Sequence, residues 1–258
     1  MYRFCDILGD FRTVGIEETD KVKLMNRKEC KYVLSINDLG KLLAELHNEY
    51  SLVEINDKTI MPYKSVYYDL PDFALYRTHQ NGKLNRFKVR SRTYVLTGTT
   101  FLEYKLKTNR KRTIKERIEV KEDYKFTDCE DFLSQRLPFS PSQLEEKLQV
   151  DYNRITLVDR AFSERVTIDA NLHYSAALKE SDFNDLVIIE IKREGNRKIS
   201  PVKKLLQINR IQPFSISKYC LGISQLYSGV KTNLINTKIR EINKMLNLRD
   251  VQPQKKII

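Results

Sequence analysis

Between Arg86 and Arg117 the chain sets charged residues at every second position, in three successive segments. The first runs Arg86-Phe-Lys-Val-Arg-Ser-Arg-Thr-Tyr94; the second is Phe101-Leu-Glu-Tyr-Lys-Leu-Lys107, and the third Thr113-Ile-Lys-Glu-Arg117. Side chains on a strand alternate between its two faces. Arg86, Lys88, Arg90, Arg92 and Tyr94 therefore share one face, Glu103, Lys105 and Lys107 another, and Lys115 and Arg117 a third. Same-face neighbours stand roughly 7 Å apart, where unscreened like charges repel, so such a face is costly unless a polyanion covers it. The break Leu96-Thr-Gly-Thr-Thr100 is short enough to make the first two segments an antiparallel hairpin. The whole chain carries a net charge of +12, which points to anionic partners and leaves nucleic acid, anionic lipid and phosphate-rich small molecules all open.

Other segments extend the pattern. Arg27 to Leu34 reads as a strand, followed by a helix that Ser35 starts and that Leu39, Leu42, Leu43 and Leu46 pattern as amphipathic. Residues 51–56, 63–69, 150–158, 164–169 and 185–192 read as strands. Pro71–Thr78 reads as a helical turn, with His79 in the turn after it. Residues 129–137 and 141–149 read as short helices around Pro138. Further helices start at Ser200-Pro201, near Ser217 and at Asn233. Residues 1–25 read as an arm or helix and 231–258 as a C-terminal helix with a frayed tail. A core of about 27–230 within one domain over 1–258 is the expectation. Cys5, Cys30, Cys129 and Cys220 are scattered without a C-x-x-C pair, which argues for reduced thiols and a cytoplasmic setting. Neither a signal peptide nor a membrane-spanning run of roughly 18 apolar residues is visible.

Strand after strand places arginine or lysine on one face with a sparse carboxylate, and aliphatic residues opposite. Tyr152 and Arg154 share a face, as do Arg165, Thr167 and Asp169, and Glu190 and Lys192, with Val187, Ile189 and Ile191 behind. One arrangement that fits is a solvated sheet face. The favoured one is a closed sheet with a basic lumen: closure removes exposed edges and gathers cationic forks in a low-dielectric space suited to phosphate oxygens. The few glutamates would then hold Mg²⁺ or Mn²⁺. Nucleic-acid binding predicts aromatics interleaved with the cations. Only Tyr94 and Tyr152 read as lying on the basic face, whereas Phe87, Val89, Phe101 and Leu102 read as core-facing. No stable nucleic-acid partner is therefore expected.

A series of short motifs then appears in order: Arg27-x-Glu29-x-Lys31-Tyr32, Tyr67-Tyr68-Asp69 with a later His79, Lys88-x-Arg90-x-Arg92-x-Tyr94, and Phe101-Leu-Glu103-x-Lys105-x-Lys107. It continues with Lys115-x-Arg117, Tyr152-x-Arg154, Arg165-x-Thr167-x-Asp169, Ile189-Glu190-x-Lys192 and Ser217-Lys218-Tyr219. Together these resemble the bacterial branch of the VTC domain, the polyphosphate polymerase domain of the vacuolar transporter chaperone complex, within the triphosphate tunnel metalloenzymes. The resemblance implies an α+β fold: a closed antiparallel eight-stranded β-tunnel with flanking helices. It also implies transfer of the ATP γ-phosphate onto a polyphosphate chain with Mn²⁺ or Mg²⁺.

Carried over by motif, Lys31, Arg90, Arg92, Lys105, Arg154 and Arg165 would grip phosphates as the catalytic set. Lys88, Lys107, Lys115, Arg117 and Lys218 would complete a cationic substrate-binding wall, with Ser217 and Tyr152 as hydrogen-bond donors. Glu190, helped by Glu103, would hold the metal. The hydrolytic cousins resemble one another in a Glu-x-Glu-x-Lys whose first Glu is here Arg27, which favours the polymerase branch. Alternatives are a tripolyphosphatase or nucleoside triphosphatase on the same site, or a non-catalytic polyphosphate or nucleic-acid binding module. The family's eukaryotic complexes carry membrane helices, so a membrane-protein partner is a further expectation.

Overall fold

The alternation of the basic segments is realised as sheet. The computed structural model describes residues 5–19, 27–110, 112–121, 123–194 and 200–246. Eight strands form one hydrogen-bonded path: β2 (Arg27–Ser35), β11 (Leu186–Glu194), β9 (Glu164–Ala176), β8 (Glu145–Asp159), β4 (Ile60–Asp69), β5 (Arg86–Tyr94), β6 (Thr99–Lys107) and β7 (Thr113–Val120). Neighbours along this path are antiparallel. Three strands lie off the path: β1 (Arg12–Gly15) pairs in parallel with β3 (Tyr50–Glu54), β3 pairs β8, and β10 (Lys179–Phe183) pairs β9.

The architecture is therefore α+β with an antiparallel sheet and flanking helices, but the expected closed eight-stranded tunnel is corrected. Among the described residues the sheet has eleven strands, and its end strands β2 and β7 do not pair. The free edge of β2 is taken instead by the segment after α6 (Pro201–Ile208): Phe214 N donates to Lys31 O at 2.7 Å, and Pro213 bridges Tyr32. Proline has no N–H to extend that pairing into a ladder. The sheet nonetheless curls far enough for the charges of Glu29 and Lys31 on β2 to act on Lys105 of β6.

Helices cover the aliphatic side, as amphipathic patterning requires. α3 (Ile36–Leu46) buries Leu39, Leu42, Leu43 and Leu46, and α6 buries Val202 and Leu206, against Leu34, Ile155, Val166, Val187, Ile189 and Ile191. α5 (Glu130–Ser134) seats Leu133 with Val89, Leu102 and Tyr104 behind the basic strands. Each α3 and α6 start is capped as its sequence predicts, Ser35 accepting from Asp38 N and Ser200 from Lys203 N.

Two features escape the pattern. Residues 141–149 are not a helix: a 3-10 turn spans Pro141–Gln143 and β8 starts at Glu145, because pairing with β4 overrides local preference. The helix expected over 129–137 is reduced to α5 after a 3-10 turn at Phe126–Cys129. The N-terminal stretch contributes α1 (Cys5–Gly9), β1 and α2 (Ile16–Thr19). The frayed tail from 247 onward lies outside the described residues.

α7 (Lys218–Leu226) and α8 (Asn233–Met245) sit with α4 (Ala74–Gln80) at one end of the charged face, packing Tyr219, Ile223, Ile235 and Ile242 with Leu148, Val150 and Tyr174. The approach is close enough that a Cβ on Gly222 would meet Tyr174 Cδ1 at 2.5 Å and Leu148 Cδ2 at 2.6 Å. A glycine is what this contact needs.

Candidate functional site

Cross-strand register decides which charges meet. On the inner face of the sheet Arg90 stands opposite Glu103, Glu103 opposite Arg117, Lys105 opposite both Lys88 and Lys115, Lys31 opposite Glu190, and Arg154 opposite Asp169. Lys192 lies between Glu29 and Arg165. The structure thus brings Lys31, Lys88, Arg90, Arg92, Lys105, Lys107, Lys115, Arg117, Arg154 and Arg165 onto one curved surface, with Tyr152, Glu103 and Glu190 among them. Lys218 reaches it from α7.

Several of these cations already have a carboxylate. Arg90 Nε donates to Glu103 Oε2 at 2.7 Å and its NH1 to Tyr67 Oη at 3.0 Å, while Lys115 Nζ lies 3.5 Å from Glu103 Oε1. Arg154 forks onto Asp169, Nε to Oδ1 at 2.6 Å and NH2 to Oδ2 at 2.8 Å, and Lys218 Nζ also donates to Oδ2. Glu190 lies between Lys31 Nζ at 3.3 Å and Lys192 Nζ; Lys31 also reaches Glu29 at 3.4 Å.

The titration of these groups follows from that pairing. Burial alone would raise the carboxyls, yet Arg90, Arg92 and Lys115 hold Glu103 well below its usual range. Arg154 and Lys218 do the same for Asp169, and Lys192 and Lys31 for Glu190. Lys88 runs the other way: burial brings it down to about 8, with Lys105 and Lys31 pushing in the same direction.

This face is richer in aromatics than its two expected tyrosines. Tyr63 and Tyr67 of β4 are on it, and so is Phe101, which belongs to the basic face rather than to the core behind it: it lies under the Arg117 guanidinium at 4.3 Å and edge-on to Tyr94. The even alternation of buried residues along β4 is the available signal, since Tyr63, Ser65, Tyr67 and Asp69 all fall on one parity. These rings are not open stacking platforms. Tyr63 stacks on Tyr152, Tyr67 stacks on Tyr219, and Arg154 and Lys218 lie over the Tyr63 and Tyr152 rings.

Tyr67 is the residue to which the motifs assign no role. It is 5% exposed, accepts from Arg90, and feels Arg90, Arg92, Lys218 and Lys88 together. Burial opposes ionisation, but those four cations outweigh it and bring the phenol down to about 8. Behind it Tyr219 donates to Asp69, whose carboxylate also accepts from the Leu70, Leu75 and Tyr76 amides and so anchors the start of α4. The Tyr-Tyr-Asp motif thus divides: Tyr67 lies on the basic face beside Arg90, Tyr68 packs behind it and accepts from Tyr124, and Asp69 anchors α4. Ser217 caps α7, accepting from Cys220 N and from Lys88 Nζ at 2.7 Å. His79 belongs to the last turn of α4 rather than to a free turn.

The residues do not form a resident metal site. Among the described residues no three His, Cys, Asp or Glu side chains come together, and Glu190 and Glu103, the expected ligands, each already face two cations. Cys30, Cys129 and Cys220 are free thiols, and no helix among the described residues is long and apolar enough to cross a membrane.

Comparison with known proteins gives a family. A search of curated proteins returned no match. Among solved structures, a candidate adenylate cyclase from Bacillus halodurans is 14% identical, with a TM-score of 0.41 over 90% of this chain and 97% of that one. A candidate adenylyl cyclase from Hippeastrum, described as having a dominant triphosphatase activity, is 12% identical, with a TM-score of 0.48 over 78% and 97%. The PH1819 protein of Pyrococcus horikoshii is 18% identical, with a TM-score of 0.40 over 84% and 99%. Likenesses at these scores assign no role to any residue of this chain. The family model is decisive: the VTC domain matches residues 26–227, the span that holds every charged strand of the curved face, and the chain belongs to the VTC domain family.

Proposed function

We propose that this protein is an ATP-dependent polyphosphate polymerase of the family's bacterial branch, and that the curved basic face is where the γ-phosphate of ATP passes to a growing phosphate chain. One observation carries the reading: a single face of the sheet gathers lysines and arginines from β2, β5, β6, β8 and β9 in excess of its carboxylates. Phosphate oxygens are the ligands that such forks suit.

Phosphoryl transfer needs alignment and charge neutralisation more than covalent help from the protein. A terminal oxygen of the polyphosphate chain, already ionised, forms a bond to the γ-phosphorus. The bond from that phosphorus to the β–γ bridging oxygen breaks, and ADP leaves with the electron pair. Arg90, Arg92, Arg154, Arg165, Lys31 and Lys105 are assigned to the phosphoryl oxygens. Lys88, Lys107, Lys115, Arg117 and Lys218 are assigned to the rest of the chain, with Ser217 and the otherwise unpartnered hydroxyl of Tyr152 as hydrogen-bonding groups. Tyr67 positions Arg90. Mn²⁺ or Mg²⁺ accompanying ATP would supply neutralisation of phosphate charge, whereas Glu190 and Glu103 balance the cations of the face.

Incubation of the purified protein with ATP and Mn²⁺, with sizing of the phosphate products, tests the reading. Long chains support it. Orthophosphate as the sole product replaces it with a triphosphatase, and polyphosphate binding without turnover replaces it with a binding module.

A further inference from the structure

At the corner where β5 begins and β6 ends, Arg86 stands opposite Lys107, and the chain on either side supplies cations without acids. No Asp or Glu occurs between Asp72 and Glu103, nor between Glu103 and Glu116. The loop before β5 carries Lys83 and the turn between β6 and β7 carries Arg110 and Arg112, all three exposed. Both loops are held in place. Lys83 N donates to Thr78 O at 3.1 Å and Arg86 NH1 to Lys83 O at 2.7 Å, which fixes the first. Asn109 N donates to Asn85 Oδ1 at 2.8 Å and ties the second loop to it, while Thr108 N donates to Arg112 O at 2.9 Å across the turn. Lys231, just before α8, donates to Asn81 Oδ1 at 2.6 Å and brings a further ammonium to this end.

Apolar side chains stand out among these charges. Leu84, next to Lys83, is 47% exposed; Ile114, the second residue of β7, is 44% exposed; Leu234, three residues beyond Lys231, is 48% exposed. A single exposed leucine is ordinary, but aliphatic side chains set among unpaired cations suit one environment in particular. At a bilayer interface the aliphatic group enters the acyl boundary while ammonium and guanidinium groups meet headgroup phosphates. A single-stranded nucleic acid would call for exposed rings on which bases stack, and every large exposed hydrophobic among the described residues is aliphatic. A protein interface would gather its apolar residues at a centre depleted of charge, whereas here cations separate them.

We propose that this end of the molecule, built on Lys83, Leu84, Arg110, Arg112 and Lys231, docks reversibly on a bilayer rich in anionic phospholipid. Leu84 is the inserting residue, because its loop is pinned and holds it outward between cations. The cations supply the attraction and select the lipid charge. One leucine and a few cations give attachment far weaker than a spanning helix, so the protein exchanges on and off the surface. The docking residues lie on loops outside the basic inner face, so the inference does not depend on the reaction proposed there.

The test is co-sedimentation of the whole protein with vesicles of phosphatidylcholine, alone or with roughly one-third phosphatidylglycerol. Thermal melts confirm that each variant is folded. The wild type is expected to bind the anionic vesicles only, and less as salt rises. The Lys83→Ala/Arg110→Ala/Arg112→Ala variant should lose about tenfold or more in partitioning, since each cation near an anionic surface counts for about fivefold. Leu84→Asn, which removes no charge, should lose about fivefold. Lys41→Ala on the far helix α3, whose side chain is 77% exposed, should change nothing. Sodium tripolyphosphate at a concentration that saturates the inner face should leave the vesicles bound. No binding to anionic vesicles, equal binding to neutral ones, or an equal loss in Lys41→Ala overturns the proposal. Displacement by tripolyphosphate also overturns it, by placing the headgroup phosphates on the inner face. So does a single-stranded oligonucleotide that the loop variants bind less well while vesicles are not bound. A protein that docks as described but makes no chains from ATP removes the polymerase reading alone.

Discussion

Replacing Asp169 by asparagine isolates the charge compensation that holds the inner face together. Asp169 is 3% exposed and takes both prongs of Arg154 together with the Lys218 ammonium. Asparagine keeps the volume but deletes the charge, and its amide NH₂ would face groups that can only donate. Removing one partner of a buried pair costs about 3–5 kcal/mol. The Arg154 and Lys218 side chains keep 12% and 13% of their surface exposed, so water recovers part of that. The lower end, about 3 kcal/mol, is the expectation. For a chain of this size that is a Tm loss of roughly 6–12 °C.

Tripolyphosphate sharpens the test, because it can supply to Arg154 and Lys218 the oxygens that Asp169 no longer offers. The Asp169→Asn protein should therefore gain more Tm on adding tripolyphosphate than the wild type does. Thermal melts with and without the ligand measure both effects. An unchanged Tm would refute the energetic role of the pair, and equal ligand-induced gains would refute competition between Asp169 and phosphate. Asp169 is held below the ordinary aspartate range, so its stabilisation is present above about pH 4 and fades as pH falls through the folded-state pKa. The Tm gap between the two proteins should accordingly narrow in acid.

Turnover should fall as pH rises through about 8, where Tyr67 and Lys88 both lose protons and the face loses a donor and a charge. That limb should disappear only in the Tyr67→Phe/Lys88→Arg double variant; a pH–rate profile that keeps it there would assign the titration elsewhere. Arg90→Ala should abolish chain synthesis and weaken tripolyphosphate binding, since it removes a fork and leaves Glu103, 2% exposed, to Lys115 and the more distant charge of Arg92. Glu190→Gln should mainly slow the reaction, and filter-binding beside product sizing distinguishes the two. Gly222→Ala should cost about 1–3 kcal/mol, read as a lower denaturation midpoint, because its Cβ would overlap Tyr174 and Leu148. A midpoint equal to the wild type would show that α7 can move away from the sheet at no cost.

Period-two alternation by itself determined most strands of the hydrogen-bonded path, the hairpin from Arg86 to Lys107, and the side of these strands that helices cover, whereas β1 and β10 emerge only from their pairing with β3 and β9. Val89, Leu102, Val187, Ile189 and Ile191 are all buried where their parity places them. Local chemistry was also sufficient for the caps at Ser35, Ser200 and Ser217, since a hydroxyl one residue before a helix needs no distant partner. Residues 141–149 defeat a local reading because pairing between β8 and β4 is non-local and outweighs the weak helical preference there.

What only the tertiary structure decided is which charges face one another. Parity puts Arg90, Glu103, Arg154, Asp169, Lys31 and Glu190 on one surface, but it is the cross-strand register that makes three compensated clusters of them and leaves the Arg86–Lys107 corner uncompensated. Closure likewise had no local signal: Pro213 and Phe214 take the free edge of β2, and among the described residues β7 pairs β6 alone. A strand's own sequence records which way its side chains point, whereas its neighbour is chosen by the packing of the whole chain.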